Sequence, residues 1–345
     1  MTASTRVDAE LVRRGLARSR RHAAELVASG RVSVASRVVA KPSSAVSDGE
    51  EVSVAPGPDP EHEFASRAAL KLAGALDALA RVPGGPVVEG AFCADLGAST
   101  GGFTDVLLRR GAAHVVAVDV GHDQLVPALR ADDRVTVVEG FNVRDLTPGD
   151  LARLPDLVVA DLSFISLTVV LPAVAGVLRP GAQALLMVKP QFEVGRERLG
   201  SGGVVRDPAL HAEAVTTVAR AAEGLGLRVR AVVPSPLPGP SGNREFFVWL
   251  TPAAGPRPGS QSGDQSGSRL RGQAGNQTDE REQALAVAVG AAVAWDPAQG
   301  EPGGRPGHPP EPPAAVVREP QGTGGKTGRD SEQSTQQAEQ KEREP

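Results

Sequence analysis

The stretch "FCADLGASTGGF", Phe92–Phe103, decides the fold. It opens as an apolar strand, turns on Gly97, Ala98, Ser99, Thr100, Gly101 and Gly102, and runs into "TDVLLRRG", whose apolar spacing is helical. Glycine at a strand-to-helix turn lets backbone approach a ligand closely. The next strand, "HVVAVDVG", ends on Asp119, an acid able to accept hydrogen bonds from a ribose. By themselves these features point to an adenosine-type cofactor or to a purely structural turn.

The spacing narrows the choice. A dinucleotide site wants Gly-x-Gly-x-x-Gly, and Ser99 stands where the second glycine would be. Gly-x-x-x-Gly-Gly with an acid after the second strand is the looser pattern of S-adenosylmethionine-dependent methyltransferases. Outward from the turn, a helix over Ser66–Ala80 and strands near 91–97, 114–120, 135–139, 157–162, 184–189, 228–234 and 245–250 alternate with helices. That alternation predicts an α/β domain with a mostly parallel, Rossmann-like sheet. The last two strands, joined by "SPLPGPSGN", read as an antiparallel hairpin at one edge.

Three charged residues fall at strand ends or beside them, and a fourth lies in the domain's first helix. "LLMVKPQFE", Leu185–Glu193, is a buried strand that ends in Lys189, and an ammonium there must be solvated, paired or chemically employed. Asp161 closes "DLVVA", Glu245 opens the final strand in "GNREFFVW", and Lys71 lies in "SRAALKL". Ligands in such sheets bind outside the carboxyl ends of the parallel strands, the side that Asp161 and Lys189 share with the glycine turn. Each residue also has a plain reading as a helix lysine, a helix cap or a surface charge. The chain, however, has only five lysines, and arginine supplies nearly all its other positive charge. Lysine can surrender a proton near neutrality where arginine cannot, so two lysines inside this domain favour chemistry.

Before this domain, "RVDAELVRRGLARSRRHAAELVASGRVSV" reads as two short helices and a strand, with Leu11, Val12 and Leu16 on the first apolar side and Ser19 capping the second helix. "RVSVASRVV" and "EEVSVA", with the Asp48-Gly49 turn, add a small β-element, making residues 1–54 an α+β binding module. The net charge of -4 hides an excess of Arg6, Arg13, Arg14, Arg18, Arg20 and Arg21 over Asp8, Glu10 and Glu25 in this segment. Those arginines are the candidate RNA contacts. A Pro-rich linker spans 55–65, and from Thr251 to 345 Gly, Pro, Ser and Gln dominate, so disorder is expected. "EREQALAVAVGAAVAW", Glu280–Trp295, is either a docking helix or a transient helix of that tail.

Composition excludes other classes. A single cysteine, Cys93, leaves neither a disulfide nor a multi-cysteine metal site, and a cytoplasmic, metal-free protein is expected. No apolar run approaches the ~20 residues of a membrane span. Tyrosine is absent and aromatics are 3%, which argues against a multi-base stacking platform and for a single flipped nucleotide near Phe164 or Phe192; core packing is the plainer role for both.

On "RVDAELVRRGLARSR", "SRAALKL", "GASTGGFT", "DLVVADLSFIS", "VKPQFEVG" and "SPLPGPSGN" the chain resembles the TlyA family of rRNA methyltransferases, historically labelled hemolysin A. Its catalytic domain, 66–250, resembles the FtsJ-like ribose 2′-O-methyltransferases, and its N-terminal module an S4-type RNA-binding domain. The resemblance implies a Lys71–Asp161–Lys189–Glu245 tetrad, with Gly97–Gly102 and Asp119 at S-adenosylmethionine. It also implies methylation of a cytidine ribose in 16S or 23S rRNA by a monomer that meets ribosomal subunits and no membrane. Lys189 would act on the 2′-hydroxyl as base or orienting donor, its pKa lowered by Lys71, with Asp161 and Glu245 positioning the lysine heads. The linker's "HEFA" departs from the basic-aromatic tetrapeptide of relatives, and the tail is longer. The rival readings are a non-catalytic ribosome-assembly factor and a membrane-lytic hemolysin.

Overall fold

The structure, a computed structural model, describes residues 4–17, 20–47, 49–55, 64–253, 269–296 and 310–318. Arg18, Ser19, Asp48, most of the linker and the rest of the tail lie outside the described residues.

The N-terminal unit runs β1 (Ser4–Arg6), α1 (Val7–Arg13), α2 (Arg20–Ala28), β2 (Val32–Val34), β3 (Arg37–Val38), β4 (Ala45–Ser47) and β5 (Val52–Val54). β1 pairs antiparallel with β4, and β2 lies between β3 and β5 in a three-stranded antiparallel sheet. Val7 and Leu11 of α1 meet Ala23, Leu26 and Val27 of α2 over Val32, Val46 and Val52. Leu16, expected on the apolar side of the first helix, falls beyond its end, after Gly15 turns at φ +71°, and is exposed.

The larger domain runs α3 (Ala68–Ala80), β6 (Phe92–Leu96), α4 (Gly102–Arg109), β7 (His114–Val118), α5 (Pro127–Arg130), β8 (Val135–Val138), β9 (Leu157–Ala160), α6 (Leu167–Val177), β10 (Gln183–Val188), α7 (Pro190–Glu193), α8 (Pro208–Gly224), β11 (Leu227–Pro234), β12 (Phe246–Pro252), α9 (Arg269–Ala294) and β13 (Ala315–Val316). Its sheet has the order β13-β11-β12-β10-β9-β6-β7-β8. β8, β7, β6, β9 and β10 are parallel, while β12 is antiparallel to both β10 and β11. Alternate strand residues serve two cores, as a two-residue period requires. Cys93, Val115, Val159, Met187 and Trp249 pack toward α3 and α4, whereas Ala94, Val116, Val158, Leu186 and Val248 pack toward α6, α8 and α9.

Two pieces of the C-terminal segment correct the expectation of disorder. α9 spans Arg269–Ala294, longer than the helix considered over Glu280–Trp295, and buries Leu285, Ala288, Val289, Ala292 and Val293 in the main core. β13 pairs with β11 through Ala231↔Val316 and Val232↔Ala315, so the sheet ends on it rather than on the hairpin. Among the described residues, no helix is long and apolar enough to cross a membrane.

Candidate active site

Strand register brings the charged residues to one edge. Leu96 pairs with both Ala160 and Val118, so β9, β6 and β7 end level and release Asp161, Gly97 and Asp119 side by side. The strand order reverses between β6 and β9, the switch point at which open α/β sheets bind ligands. β10 runs on past its last pairing with β9, and Val188 pairs with Phe246, so Lys189 and Glu245 sit next to each other at adjacent strand ends.

Each lysine has its own carboxylate. Lys71 Nζ, on α3, donates to Glu245 Oε2 at 2.5 Å, with side chains 7% and 1% exposed. Lys189 Nζ lies 2.6 Å from Asp161 Oδ1, an ion pair without hydrogen-bond alignment, and donates to Ser163 Oγ at 2.9 Å. The "SPLPGPSGN" loop closes over the first pair. Glu245 O accepts from Ser235 N, Gly239 N donates to Asn243 O, and the buried Asn243 amide bridges Val205 N and Gly203 O. A Cβ at Gly239 would lie 2.6 Å from Glu245 Oε1, and one at Gly74 would lie 2.8 Å from Pro236 Cγ. Both positions therefore need glycine for the loop to reach α3 and the carboxylate.

The glycine turn is pinned from both sides. Gly97 and Gly101 have φ of +85° and +96°. A Cβ at Gly97 would meet Asp161 O at 2.9 Å, and one at Gly102 would meet Ser66 Oγ at 2.2 Å and Ala69 N at 3.0 Å. These glycines thus bring β9's end and α3 up against the turn. Ser99, at φ +47°, donates its N–H to Asp119 Oδ2 at 2.8 Å, and Gly121 N–H reaches Asp119 Oδ1 at 2.7 Å. Each oxygen keeps a lone pair, and Val120 beside it presents an exposed apolar side chain. Ala98 is buried, and Thr100 O accepts from Val126 N. Acid, turn and apolar flank fit an adenosine moiety.

Three site residues escaped the sequence reading. Asp95, fully buried in β6, accepts from Thr104 Oγ1 at 2.7 Å; its Oδ1 has no partner among the described residues. Burial, with smaller repulsion from Asp161 and Asp119, pushes its carboxyl up to about 7 against the Thr104 hydrogen bond. A charge inside "FCADL" was the available signal. Ser163 and Asn243 gave none, because their partners are distant in sequence. Phe164 reverses the core-packing reading: the residue is 91% exposed, its backbone is left-handed at φ +64°, and its ring meets Phe192 at 5.3 Å between centroids. Such a backbone costs a bulky residue about 1–3 kcal/mol.

In the N-terminal unit, two buried acids of α1 gather the arginines. Asp8 takes Arg6 at 2.8 Å and Arg20 at 3.1 Å, while Glu10 takes Arg13 at 2.5 Å and Arg14 at 2.6 Å. These hydrogen bonds hold both carboxyls well below the usual range. Arg6, Arg13 and Arg20 remain more than half exposed, so the pairs fix the guanidinium groups without hiding them. The side chain of Arg21 lies outside the described residues.

Sequence comparison places this geometry in a family. The profile of the FtsJ-like methyltransferases matches residues 64–251, and that of the S4 domain matches residues 5–52. The chain is 55% identical over 250 residues, 72% of its length and 91% of the relative's, to the 16S/23S rRNA (cytidine-2′-O)-methyltransferase TlyA of Mycobacterium tuberculosis. It is 34% identical to Hemolysin A of Brachyspira hyodysenteriae over 70% of this chain and 98% of that protein. A solved structure from Streptococcus thermophilus, provisionally named a hemolysin, superposes with a TM-score of 0.56 at 37% identity, covering 82% of this chain and 100% of the other. The chain, an S4 domain followed by an FtsJ-like methyltransferase domain, belongs to the TlyA family.

Proposed function

We propose that this protein transfers a methyl group from S-adenosylmethionine to a ribose 2′-hydroxyl of ribosomal RNA, a cytidine of the 16S or 23S molecule. The observation that carries the reading is two buried lysines, Lys71 on α3 and Lys189 at the end of β10, each on its own carboxylate. The relative from M. tuberculosis bears the name of this activity. When bound, S-adenosylmethionine supplies an electrophilic methyl. Gly97–Gly102 and Asp119 would hold it, with Asp119 on the ribose diol.

A 2′-hydroxyl is a poor nucleophile until it is oriented and its proton is released. Lys189, ion-paired to Asp161, would donate a hydrogen bond to the hydroxyl oxygen and fix its line of attack, and the hydroxyl proton would pass to solvent as the oxygen takes the methyl and the methyl's bond to the donor sulfur breaks. Glu245 anchors Lys71 as the second cation of the site. Proton and orientation effects of this kind contribute ~10²–10⁴-fold. The exposed Phe164 ring offers a face for one unstacked base beside Ser163 and Lys189. The arginines on Asp8 and Glu10 give salt-dependent phosphate contacts. The protein acts as a monomer on ribosomal subunits in the cytoplasm.

The test is Lys189→Ala, with cofactor affinity measured by calorimetry and 2′-O-methylation mapped in rRNA incubated with parent or variant. Methylation is expected to vanish while cofactor affinity stays. Full methylation by the variant removes the reading, and a parent that binds no cofactor returns it to an assembly factor.

A further inference from the structure

We infer that Glu193 is a positioning residue for this methyl transfer: its carboxylate ties the loop after β9, carrying Asp161, Ser163 and Phe164, to the turn after β10, carrying Lys189 and Phe192. The inference rests on the reading proposed above.

Glu193 ends α7, the four-residue turn that starts directly after Lys189. Its Oε1 accepts the Leu167 N–H at 2.8 Å, and its Oε2 accepts Ser166 Oγ at 2.5 Å. Both partners stand at the start of α6, where the β9 loop ends. That helix already has its own cap, since Ser166 Oγ accepts from Thr168 N. The carboxylate therefore adds a tie between two loops beyond what α6 needs to begin. Burial pushes the Glu193 carboxyl above its usual range, against the pull of the two donated hydrogen bonds.

The β9 loop needs such a tie. Leu162 and Ile165 pack partly on the main core, but Ser163 and the left-handed Phe164 between them are exposed, so burial does not fix the two residues that face the β10 turn. At its start, Asp161 N donates to Leu96 O at 3.1 Å. At its end, Glu193 is the acceptor that comes from the β10 turn. Between them, Lys189 reaches across to Asp161 and Ser163, and Phe192 meets Phe164. Glu193 thus completes a set of contacts that makes the amine, its carboxylate and the exposed ring one body. Without it, the loop stays anchored at both ends but loses its tie to the β10 turn, and Ser163 and Phe164 shift relative to Lys189.

The test compares Glu193→Ala and Glu193→Gln in the full chain. Single-turnover methyl transfer to rRNA at saturating cofactor is the first readout, and cofactor affinity by calorimetry is the second. A misplacement near 1 Å costs about 10²-fold, so E193A should slow transfer by about 10–100-fold. Cofactor affinity should stay within about twofold, because the tie acts on the reacting groups. In E193Q the amide oxygen still accepts from Leu167 N and the amide N–H₂ donates to Ser166 Oγ, so most of the rate returns. Wild-type transfer by E193A overturns the inference, as does joint loss of rate and cofactor affinity in both variants. If E193A fails to fold, Glu193→Asp, one methylene short, takes its place: slowed transfer supports the tie and a full rate overturns it. Lys189→Ala is measured alongside. Transfer surviving in K189A sinks the underlying reading, whereas an inactive K189A beside a full-rate E193A sinks this inference alone.

Discussion

Replacing Lys71 by methionine separates what its ion pair does for stability from what it does for chemistry. The lysine and Glu245 are 7% and 1% exposed at the side chain and 2.5 Å apart. Removing the ammonium leaves a carboxylate walled in by Gly239 and the loop around it. Breaking a buried pair in this way costs about 3–5 kcal/mol. At about 2–4 °C per kcal/mol for a domain of this size, the melting temperature should fall by ~6–20 °C. Adding Glu245→Met removes the orphan, and K71M/E245M should recover stability while staying inactive, because apolar replacement of a buried pair is often neutral or stabilising. Calorimetric melts, paired with a methyl-transfer assay, make the comparison. A K71M melt within ~2 °C of the parent, or a double variant less stable than K71M, refutes the reasoning.

Three further outcomes are expected. Gly102→Ala places a Cβ 2.2 Å from Ser66 Oγ and 3.0 Å from Ala69 N, forcing α4's start away from α3; calorimetry should find cofactor affinity reduced by about tenfold or more, and unchanged affinity counts against the close packing. Asp95, raised from 3.8 to about 7, contributes stability below the lower value that is lost as pH climbs to the upper one; the advantage of Asp95→Asn in melting temperature should grow across that window, and a flat difference contradicts the shift. Arg6→Ala with Arg20→Ala should weaken rRNA binding and lower the slope of log affinity against log salt by about 1–2, read from filter binding at several salt concentrations; an unaltered slope means these side chains touch no phosphate.

The residues of the site were legible because strand ends are local events. The apolar runs of β6, β9 and β10 stop at Gly97, Asp161 and Lys189, and backbone geometry alone places such residues at one edge of a parallel sheet. The glycine turn and the acid at Asp119 follow from the same periodicity. Leu16 misled because a helical spacing continues across Gly15, where the backbone has already turned. β13 was hidden for a different reason, and α9 was visible only as one of two alternatives over Glu280–Trp295. Their Ala-Val texture sits among Gly, Pro and Gln, and only the apolar surface of α8 and the open edge of β11 give them something to bury.

The sequence by itself determined the alternating elements of the 66–250 domain and Asp161, Lys189 and Glu245 beside their ends, since both depend on spacings within a few residues. Tertiary structure decided which lysine meets which carboxylate, that Asp119 is shared with the backbone N–H groups of Ser99 and Gly121, and that Phe164 stands in solvent. Those facts depend on register and loop closure between residues as far apart as Lys71 and Glu245, which no local pattern encodes.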